Sequence, residues 1–217
     1  VPGTYTAQAF ITTDADDNQI TAFHPGAMAH AHLNRVADAG PVTLGIVSPD
    51  GREGMLAHAQ QFAEAGIPFV FDPGQGMPMF DGPELLHFAR QATYLAFNDY
   101  EARLFEERTG RSLAAVAREV RAVVITRGAQ GSSIYAGGRD WAIPPVLSRE
   151  VVDPTGCGDA YRAGLLFGLS RGMDWDTTGR IASLMGSIKV ASCGTQNHHF
   201  TWDEFEQRFR ETFGYAL

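Results

Sequence analysis

The chain has 217 residues, a formal net charge of -8 at pH 7, 44% hydrophobic residues and 19% charged residues. This composition is ordinary for a globular protein, and no apolar run is long enough to span a membrane. The negative charge argues against a broad nucleic-acid-binding surface. Cys157 and Cys193 are the only cysteines, too few for a disulfide framework. We therefore expect a cytoplasmic protein whose partner is a small molecule rather than a nucleic acid or a membrane.

The length allows one sizeable hydrophobic core, so we expect a single α/β domain over residues 1–217. The chain begins Val1-Pro2-Gly3 without a methionine, shortly before a strand pattern. We therefore expect an N-terminal portion of the natural protein to be missing from this sequence.

Residues 5–24 predict a β-hairpin. Residues 5–13 alternate and are rich in β-formers, residues 14–19 have turn chemistry, and residues 20–23 resume the strand pattern. The Asp residues of the turn are more typical of a solvated tip than of a metal-binding loop.

From residue 42 onward, short apolar runs alternate with helical patterns. Strands are predicted at residues 42–47, 68–71 and 94–97, with helices at 51–65 and 83–91 between them. This alternation predicts a mostly parallel, doubly wound sheet with helices on both faces. Ligand chemistry in such a sheet collects at the carboxyl ends of the strands.

Two motifs follow predicted strands in this part of the chain. Asn98 and Glu101 open a helix and fit a capping box, an arrangement that needs no function at all. After the strand that ends near Thr126, Gly128 and Gly131 form a glycine turn before a second strand at residues 132–136. Taken alone, this second pattern favours a simple hairpin.

The stretch from Asp153 to Asp159 precedes an apolar helix and points most clearly to chemistry. Gly156 and Gly158 flank Cys157, so backbone N–H groups can converge on one point at the positive end of the helix dipole. That point is a predicted anion site. Asp159 beside it is more easily explained as a general base than as a binding group. The alternative is a glycine turn with an acidic helix cap.

Two further helices complete the chain. Residues 177–190 are rich in small residues, which allow close helix packing. Residues 202–213 form an amphipathic pattern that most simply covers the core, with Phe205, Phe209 and Phe213 on one face.

The three motifs, in this order, resemble those of the ribokinase-like (PfkB) family of ATP-dependent carbohydrate and nucleoside kinases. The resemblance covers most of the chain and is nearest to bacterial adenosine kinases and sugar kinases. It implies that Asp159 is the catalytic base and that the amides of Gly156, Cys157 and Gly158 form an anion hole. The family more often has Ala where this chain has Cys157.

The resemblance also implies a nucleotide site. Asn98 and Glu101 would help to place Mg²⁺, with Glu101 acting through water. Thr126, Gly128 and Gly131 would lie on the nucleotide side, with the Thr126 hydroxyl able to bond a phosphate. The helix that carries Ser183 would border the adenine.

A monovalent cation, K⁺ in many members, would lie near Asp153 and Thr155. The hairpin at residues 5–24 would belong to a lid over the acceptor substrate. Family members usually carry a further N-terminal segment with a Gly-Gly acceptor-binding motif, and the N-terminal part of this sequence contains no such motif. The implication is either a fragment or an incomplete acceptor site.

The sequence therefore predicts transfer of the γ-phosphoryl group of ATP to a primary hydroxyl, with adenosine as the favoured acceptor. A sugar acceptor, as in ribokinase or fructokinase, is the first alternative. A catalytically silent nucleotide-binding module is another. A thiol hydrolase is the third, because a cysteine such as Cys157 at a helix N-terminus can have a lowered pKa. A homodimer is compatible with the resemblance, and the sequence leaves the oligomeric state open.

Overall fold

The structure is a computed structural model that describes residues 1–13 and 19–217. These residues form two compact units, Val1–Thr93 and Tyr94–Leu217. Among the described residues, no helix combines the length and the apolar character needed to cross a membrane.

The first unit contains four strands, two α-helices and three short 3₁₀ helices. The strands are β1 (Gln8–Thr13), β2 (Gln19–His24), β3 (Gly45–Val47) and β4 (Phe69–Phe71); the α-helices are α1 (Arg52–Glu64) and α2 (Gly82–Gln91); the 3₁₀ helices are Gly26–Leu33, Val36–Ala39 and Gly74–Met79.

Strands β1 and β2 confirm the predicted hairpin. They pair antiparallel, with Phe10 opposite Ala22 and Ala9 opposite Phe23. Phe10 and Phe23 are 64% and 52% exposed. Residues 14–18 of the predicted turn lie outside the described residues, so the prediction of a solvated tip stays a prediction.

Strands β3 and β4 pair in parallel, as the βα alternation predicts. The first of these strands is shorter than its predicted range of 42–47. The core of this unit is rich in aromatic side chains, and Phe71 stacks on Phe88 with ring centroids 4.3 Å apart. Helix α2 begins with a capping box, because Asp81 accepts from the Glu84 N–H and Glu84 reaches back to the Asp81 N–H.

The second unit contains four strands and five α-helices. The strands are β5 (Tyr94–Asn98), β6 (Ala122–Thr126), β7 (Ser132–Ala136) and β8 (Arg139–Ile143); the helices are α3 (Asp99–Thr109), α4 (Leu113–Val116), α5 (Cys157–Ser170), α6 (Trp175–Val190) and α7 (Trp202–Phe213).

Strands β5 and β6 are parallel, whereas β7 and β8 continue the sheet in antiparallel order. The first four residues of both β5 and β6 are buried, which is typical of strands covered on both faces. The alternating burial of β7 fits a strand nearer the edge. Strand β8 was not predicted, because four of its five residues are at least partly exposed.

Helices α5 and α6 cross at small residues, as the composition of residues 177–190 predicts. A Cβ added to Gly164 would lie 2.7 Å from Ala182 Cα, and one added to Gly168 would lie 2.6 Å from Thr178 Oγ1. The backbone of α6 thus leaves no room for a side chain at Gly164, and the Thr178 side chain leaves none at Gly168. Helix α7 covers the other side of α6, where Phe205 and Phe209 pack into a cluster with Ile181.

Candidate active site at the start of helix α5

Helix α5 begins with a turn that requires glycine. Gly156 precedes the first helical residue, Cys157, and has a φ of +84°. A Cβ at Gly156 would also lie 3.2 Å from the Cα, Cβ and carbonyl oxygen of Thr195. Both the left-handed conformation and the close approach of Thr195 explain why a glycine stands here.

The hydrogen bonds of this turn indicate which amides can face a ligand. The Cys157 N–H donates to the Pro154 carbonyl at 3.1 Å, and the Ala160 N–H donates to the Gly156 carbonyl at 3.0 Å. The amides of Gly158 and Asp159 lie between these two, in the first turn of the helix, where N–H groups point along the axis away from the helix. The predicted anion hole is therefore best served by Gly158 and Asp159.

The space beside these amides is open. Gly158 and Asp159 are both exposed. A Cβ built on Gly158 would meet only the Arg162 Nη1, at 3.9 Å. The Asp159 carboxylate thus stands at a helix N-terminus that can attract an anion, and a reacting hydroxyl can reach it from solvent.

Asp153 fixes the segment that leads into the turn. Its Oδ1 accepts from the Thr155 N–H and its Oδ2 from the Gly194 N–H, both at 2.8 Å. These two bonds lower the pKa of Asp153 to about 2. The Asp153 N–H donates in turn to the Val190 carbonyl at 3.1 Å. One carboxylate therefore joins the approach to α5 with the loop that follows α6.

Lys189 lies beneath the same segment and was not predicted as a site residue. Its Nζ donates to the carbonyl oxygen of Asp153 at 2.6 Å and to that of Ser192 at 3.2 Å. The side chain has no solvent exposure. The sequence carries a signal for it, because Lys189 is the only lysine in a chain with 17 basic residues.

The surroundings of Cys157 bear on the alternative of an activated thiol. Burial raises the pKa of the Cys157 thiol, and the positive charge of Lys189 offsets this effect only in part. The Sγ lies 3.9 Å from the Asp153 carbonyl oxygen, to which it donates a weak hydrogen bond. A raised pKa disfavours the thiolate, the form that acts as nucleophile, which argues against the hydrolase alternative.

Asn98 and Glu101 form the capping box that the sequence predicts. Asn98 Oδ1 accepts from the Glu101 N–H at 2.7 Å, and Glu101 Oε2 accepts from the Asn98 N–H at 2.8 Å. A third bond joins Asn98 Nδ2 to Glu101 Oε1 at 2.8 Å. The Glu101 carboxylate is buried at the start of α3 and is held in one orientation.

The register of the sheet brings Asn98 beside the second motif. Asn98 at the end of β5 pairs with Thr126 at the end of β6, and the Thr126 hydroxyl donates to the Phe97 carbonyl at 3.4 Å. The two predicted nucleotide-side motifs thus share one edge of the sheet, as expected for the carboxyl ends of parallel strands.

The two glycines of the second motif have different environments. A Cβ on Gly131 would lie 2.2 Å from the Ile143 carbonyl oxygen, so Gly131 is required for the approach of β8. Gly128 has a φ of +53° and open space around the position of a Cβ. Arg127 is engaged with the hairpin, because its Nη1 donates to Ser133 Oγ at 2.7 Å.

A buried hydrogen bond connects α5 with this corner of the sheet. Tyr161, two residues after Asp159, has its hydroxyl 2.7 Å from Ser132 Oγ. Ser132 pairs with Thr126 across β6 and β7. A series of contacts through Tyr161 and Ser132 therefore connects the helix turn of Asp159 with the Asn98–Thr126 pair. Sequence reasoning missed this bond, because Tyr161 reads as one more apolar residue of the helix.

Ser183 is engaged in a structural contact on α6. Its hydroxyl donates to the Pro144 carbonyl at 2.9 Å and accepts from the Val146 N–H at 3.2 Å. These bonds hold the segment that follows β8. A role for Ser183 toward the adenine stays a prediction.

Comparison with known proteins extends these observations. Residues 1–202 match the sequence profile of the pfkB family of carbohydrate kinases. The chain is 30% identical over 206 residues to a nucleoside kinase of Methanocaldococcus jannaschii, an alignment that covers 95% of this chain and 68% of that protein.

Solved structures of a Burkholderia thailandensis nucleoside kinase are also similar, at 51% identity. For the inosine complex the TM-score is 0.98, and the match covers 100% of this chain and 72% of that chain. The complex described as ADP-inosine has a TM-score of 0.96, with coverage of 100% of this chain and 68% of that chain.

Proposed function

Because the chain belongs to the pfkB family of carbohydrate kinases, we propose that it transfers the γ-phosphoryl group of ATP to a primary hydroxyl of a nucleoside. Membership of the family confirms the predicted resemblance and the ribokinase-like fold, and it makes the protein a phosphotransferase with an alcohol group as acceptor. We further propose that adenosine is the favoured nucleoside and that Asp159 is the general base.

The observation that carries the assignment of the base is the position of Asp159. Its exposed carboxylate shares the first turn of α5 with the outward-facing amides of Gly158 and Asp159 itself. An acceptor hydroxyl at this point can lose its proton to the carboxylate. The amides then stabilise the charge that develops on the transferred phosphoryl group.

The nucleotide-side residues are proposed to be Asn98, Glu101, Thr126 and Gly128. Gly131 completes the motif but is explained by packing. The open space around Gly128 lets the backbone approach a phosphate, and the Thr126 hydroxyl lies on the same edge of the sheet.

The Asn98–Glu101 pair has the chemistry to serve Mg²⁺. Both Glu101 carboxylate oxygens already accept hydrogen bonds from Asn98, which favours contact with the ion through water. In the described parts of the chain, no three His, Cys, Asp or Glu side chains are grouped to hold a metal by themselves. When bound with the nucleotide, Mg²⁺ supplies charge neutralisation at the phosphates.

A nucleoside acceptor is supported by the kinase that is 51% identical to this chain, which was solved with inosine. Phe10 and Phe23 on the hairpin are exposed and could stack on a purine, which would make the hairpin the predicted lid. A sugar acceptor remains the second candidate, because the family name itself is that of carbohydrate kinases.

The test of the base is ADP release with adenosine, inosine, ribose and fructose in the presence of magnesium. Asp159→Asn is expected to abolish turnover while ATP still binds, because the fold and the amides remain. Asp203→Asn is the matched control, since Asp203 is an exposed carboxylate in the first turn of α7. Near-normal turnover of Asp159→Asn would refute the assigned base. Turnover with ribose or fructose alone would replace the nucleoside by a sugar.

The role of Glu101 has a matched control of its own. Glu101→Gln and Glu204→Gln each alter the same kind of capping box, at α3 and at α7. A glutamine at this position can still accept from the N-cap N–H, so both variants are expected to lose only roughly 0.3–1 kcal/mol of stability with the negative charge. Only Glu101→Gln should need more magnesium for half-maximal turnover. Identical magnesium titrations for the two variants would remove Glu101 from the metal site.

A further inference from the structure

The position expected to hold a monovalent cation contains a side-chain ammonium. Lys189 Nζ donates to the carbonyl oxygens of Asp153 and Ser192, at 2.6 and 3.2 Å, and the side chain is fully buried. Backbone carbonyls from two loops are the ligands that would serve K⁺. Here they converge on a charged nitrogen that belongs to the protein.

The neighbouring carboxylate is already engaged by the backbone. Both oxygens of Asp153 accept backbone N–H bonds, from Thr155 and from Gly194, at 2.8 Å. A potassium ion on the carbonyls of Asp153 and Ser192 would lie within a few ångströms of the fully buried Lys189 ammonium, and the two like charges would repel. The residues present therefore do not fit the expected K⁺.

We propose that Lys189 acts as a built-in monovalent cation, a positioning residue that holds the segment 153–156 against the end of α6 without K⁺. This inference rests on the proposed function, because the segment that Lys189 holds leads into the anion site proposed for the transferred phosphoryl group. An ammonium and K⁺ carry the same charge and suit the same carbonyl oxygens. The chain supplies the charge covalently, on the penultimate residue of α6.

Residue choice supports the same conclusion. Of the 17 Lys and Arg residues, all but one are arginine, and the single lysine is fully buried. A planar guanidinium suits paired carboxylate oxygens, whereas a compact ammonium suits carbonyls that converge on a point. A lysine at this position therefore fits the two converging carbonyl oxygens better than an arginine would.

The position of the charge links it to the anion site. Lys189 lowers the pKa of Asp153 and partly offsets the burial effect on Cys157, the first residue of α5. A Cβ on Gly186, one turn earlier on α6, would lie 3.7 Å from the Cys157 carbonyl oxygen. The ammonium therefore lies close behind the start of α5, where a positive charge favours an anion in front of it.

The experiment compares wild type, Lys189→Ala and Lys189→Met in potassium chloride and in tetramethylammonium chloride of equal ionic strength. Lys189→Ala leaves space for an ion beside the two carbonyls. Lys189→Met keeps the apolar stem, fills that space and removes the charge. Turnover with adenosine or inosine and the thermal midpoint without ligand are measured for each.

Wild type is expected to show the same turnover and midpoint in both salts. Lys189→Ala should lose about tenfold or more in kcat in tetramethylammonium, and potassium or ammonium should restore much of it. Potassium should also raise its thermal midpoint, because an ion that binds only the folded state stabilises it. Lys189→Met should respond to neither ion, whereas a merely structural lysine would give no ion-specific rescue in either variant.

Two results would overturn the proposal. One is a wild-type turnover or midpoint that rises with potassium, a comparison that needs no variant to fold. The other is a Lys189→Ala protein that behaves identically in both salts. Absence of turnover by wild type with every nucleoside would instead count against the proposed function, and the ligand-free midpoints would still decide the role of Lys189.

Discussion

Replacing Gly156 by alanine should destabilise the protein through the backbone alone. A residue with a Cβ in the left-handed region costs roughly 1–2 kcal/mol. The new methyl group would also lie 3.2 Å from three atoms of Thr195, closer than carbon atoms normally pack. Together, the two effects predict a loss of roughly 2–4 kcal/mol in the free energy of unfolding.

Gly158→Ala is the matched comparison two residues away. A Cβ there meets only Arg162 Nη1 at 3.9 Å, and Gly158 is already within the first helical turn. Alanine should leave stability unchanged or raise it by up to about 1 kcal/mol, because it is the better helix former. The same methyl group would stand beside the amides of the proposed anion hole, so turnover should fall although the fold is intact.

Urea titrations of the two variants and of wild type measure the difference. The midpoint for Gly156→Ala should move to lower urea with an unchanged m-value, while that for Gly158→Ala should not. A Gly156→Ala midpoint equal to that of Gly158→Ala would refute the reasoning from backbone conformation. A stable Gly158→Ala with wild-type turnover would place the reacting phosphate elsewhere.

Three other changes follow from individual contacts. Asp153→Asn should lower stability at neutral pH, because an amide nitrogen would face a backbone N–H of Thr155 or Gly194. The pKa of Asp153 is lowered to about 2 in the folded state, so the stability that it contributes is complete above about pH 4 and is lost as the pH falls toward 2. In acid titrations, the difference in unfolding free energy between wild type and Asp153→Asn should therefore disappear over that range. Tyr161→Phe should cost roughly 1–2 kcal/mol of unfolding free energy, because it leaves the buried Ser132 hydroxyl without its partner, and a double-mutant cycle with Ser132→Ala should show coupling between them. Cys157→Ala should keep its turnover, because the thiol has a raised pKa; loss of turnover comparable to that of Asp159→Asn would instead support a nucleophilic thiol.

The sequence was sufficient where local rules agree with the fold. The Asn98–Glu101 capping box needs only residues three positions apart, and the structure contains it in full. Buried strands such as β5 and β6 are continuous apolar runs, so their existence follows from pattern alone. The turn at Gly156 followed from the same kind of local reading.

Long-range contacts were the part that pattern could not supply. The bond between Tyr161 and Ser132 joins residues 29 positions apart, and nothing in either segment specifies the other. Strand β8 has only Ile143 fully buried, which hides the alternation expected of a strand. The signal that could have found it is Gly137-Gly138, a pair typical of a two-residue hairpin turn.

The same limit explains the treatment of Cys157 and Lys189. Position at a helix N-terminus predicts a lowered thiol pKa, but burial depends on the whole fold and raises it. Lys189 occurs in a helix of mostly small and apolar residues, where the sequence alone would predict an exposed lysine side chain. That it is the only lysine was visible in the sequence, but one of its two acceptors, the Asp153 carbonyl, is 36 residues away.

The Ile143 carbonyl oxygen lies against Gly131, and this contact affects how a relative that has lost kinase activity could be recognised from its sequence. A protein that had lost nucleotide binding would still need glycine at this position, because no other residue leaves room for the backbone of β8. Its survival in a relative would therefore report a folded hairpin and nothing about activity. Gly158 and Asp159 are both exposed, and a Cβ added to Gly158 would meet only Arg162 Nη1 at 3.9 Å, so packing makes no comparable demand on this pair. In relatives that have lost activity, substitutions should therefore appear at Gly158 and Asp159 before they appear at Gly131.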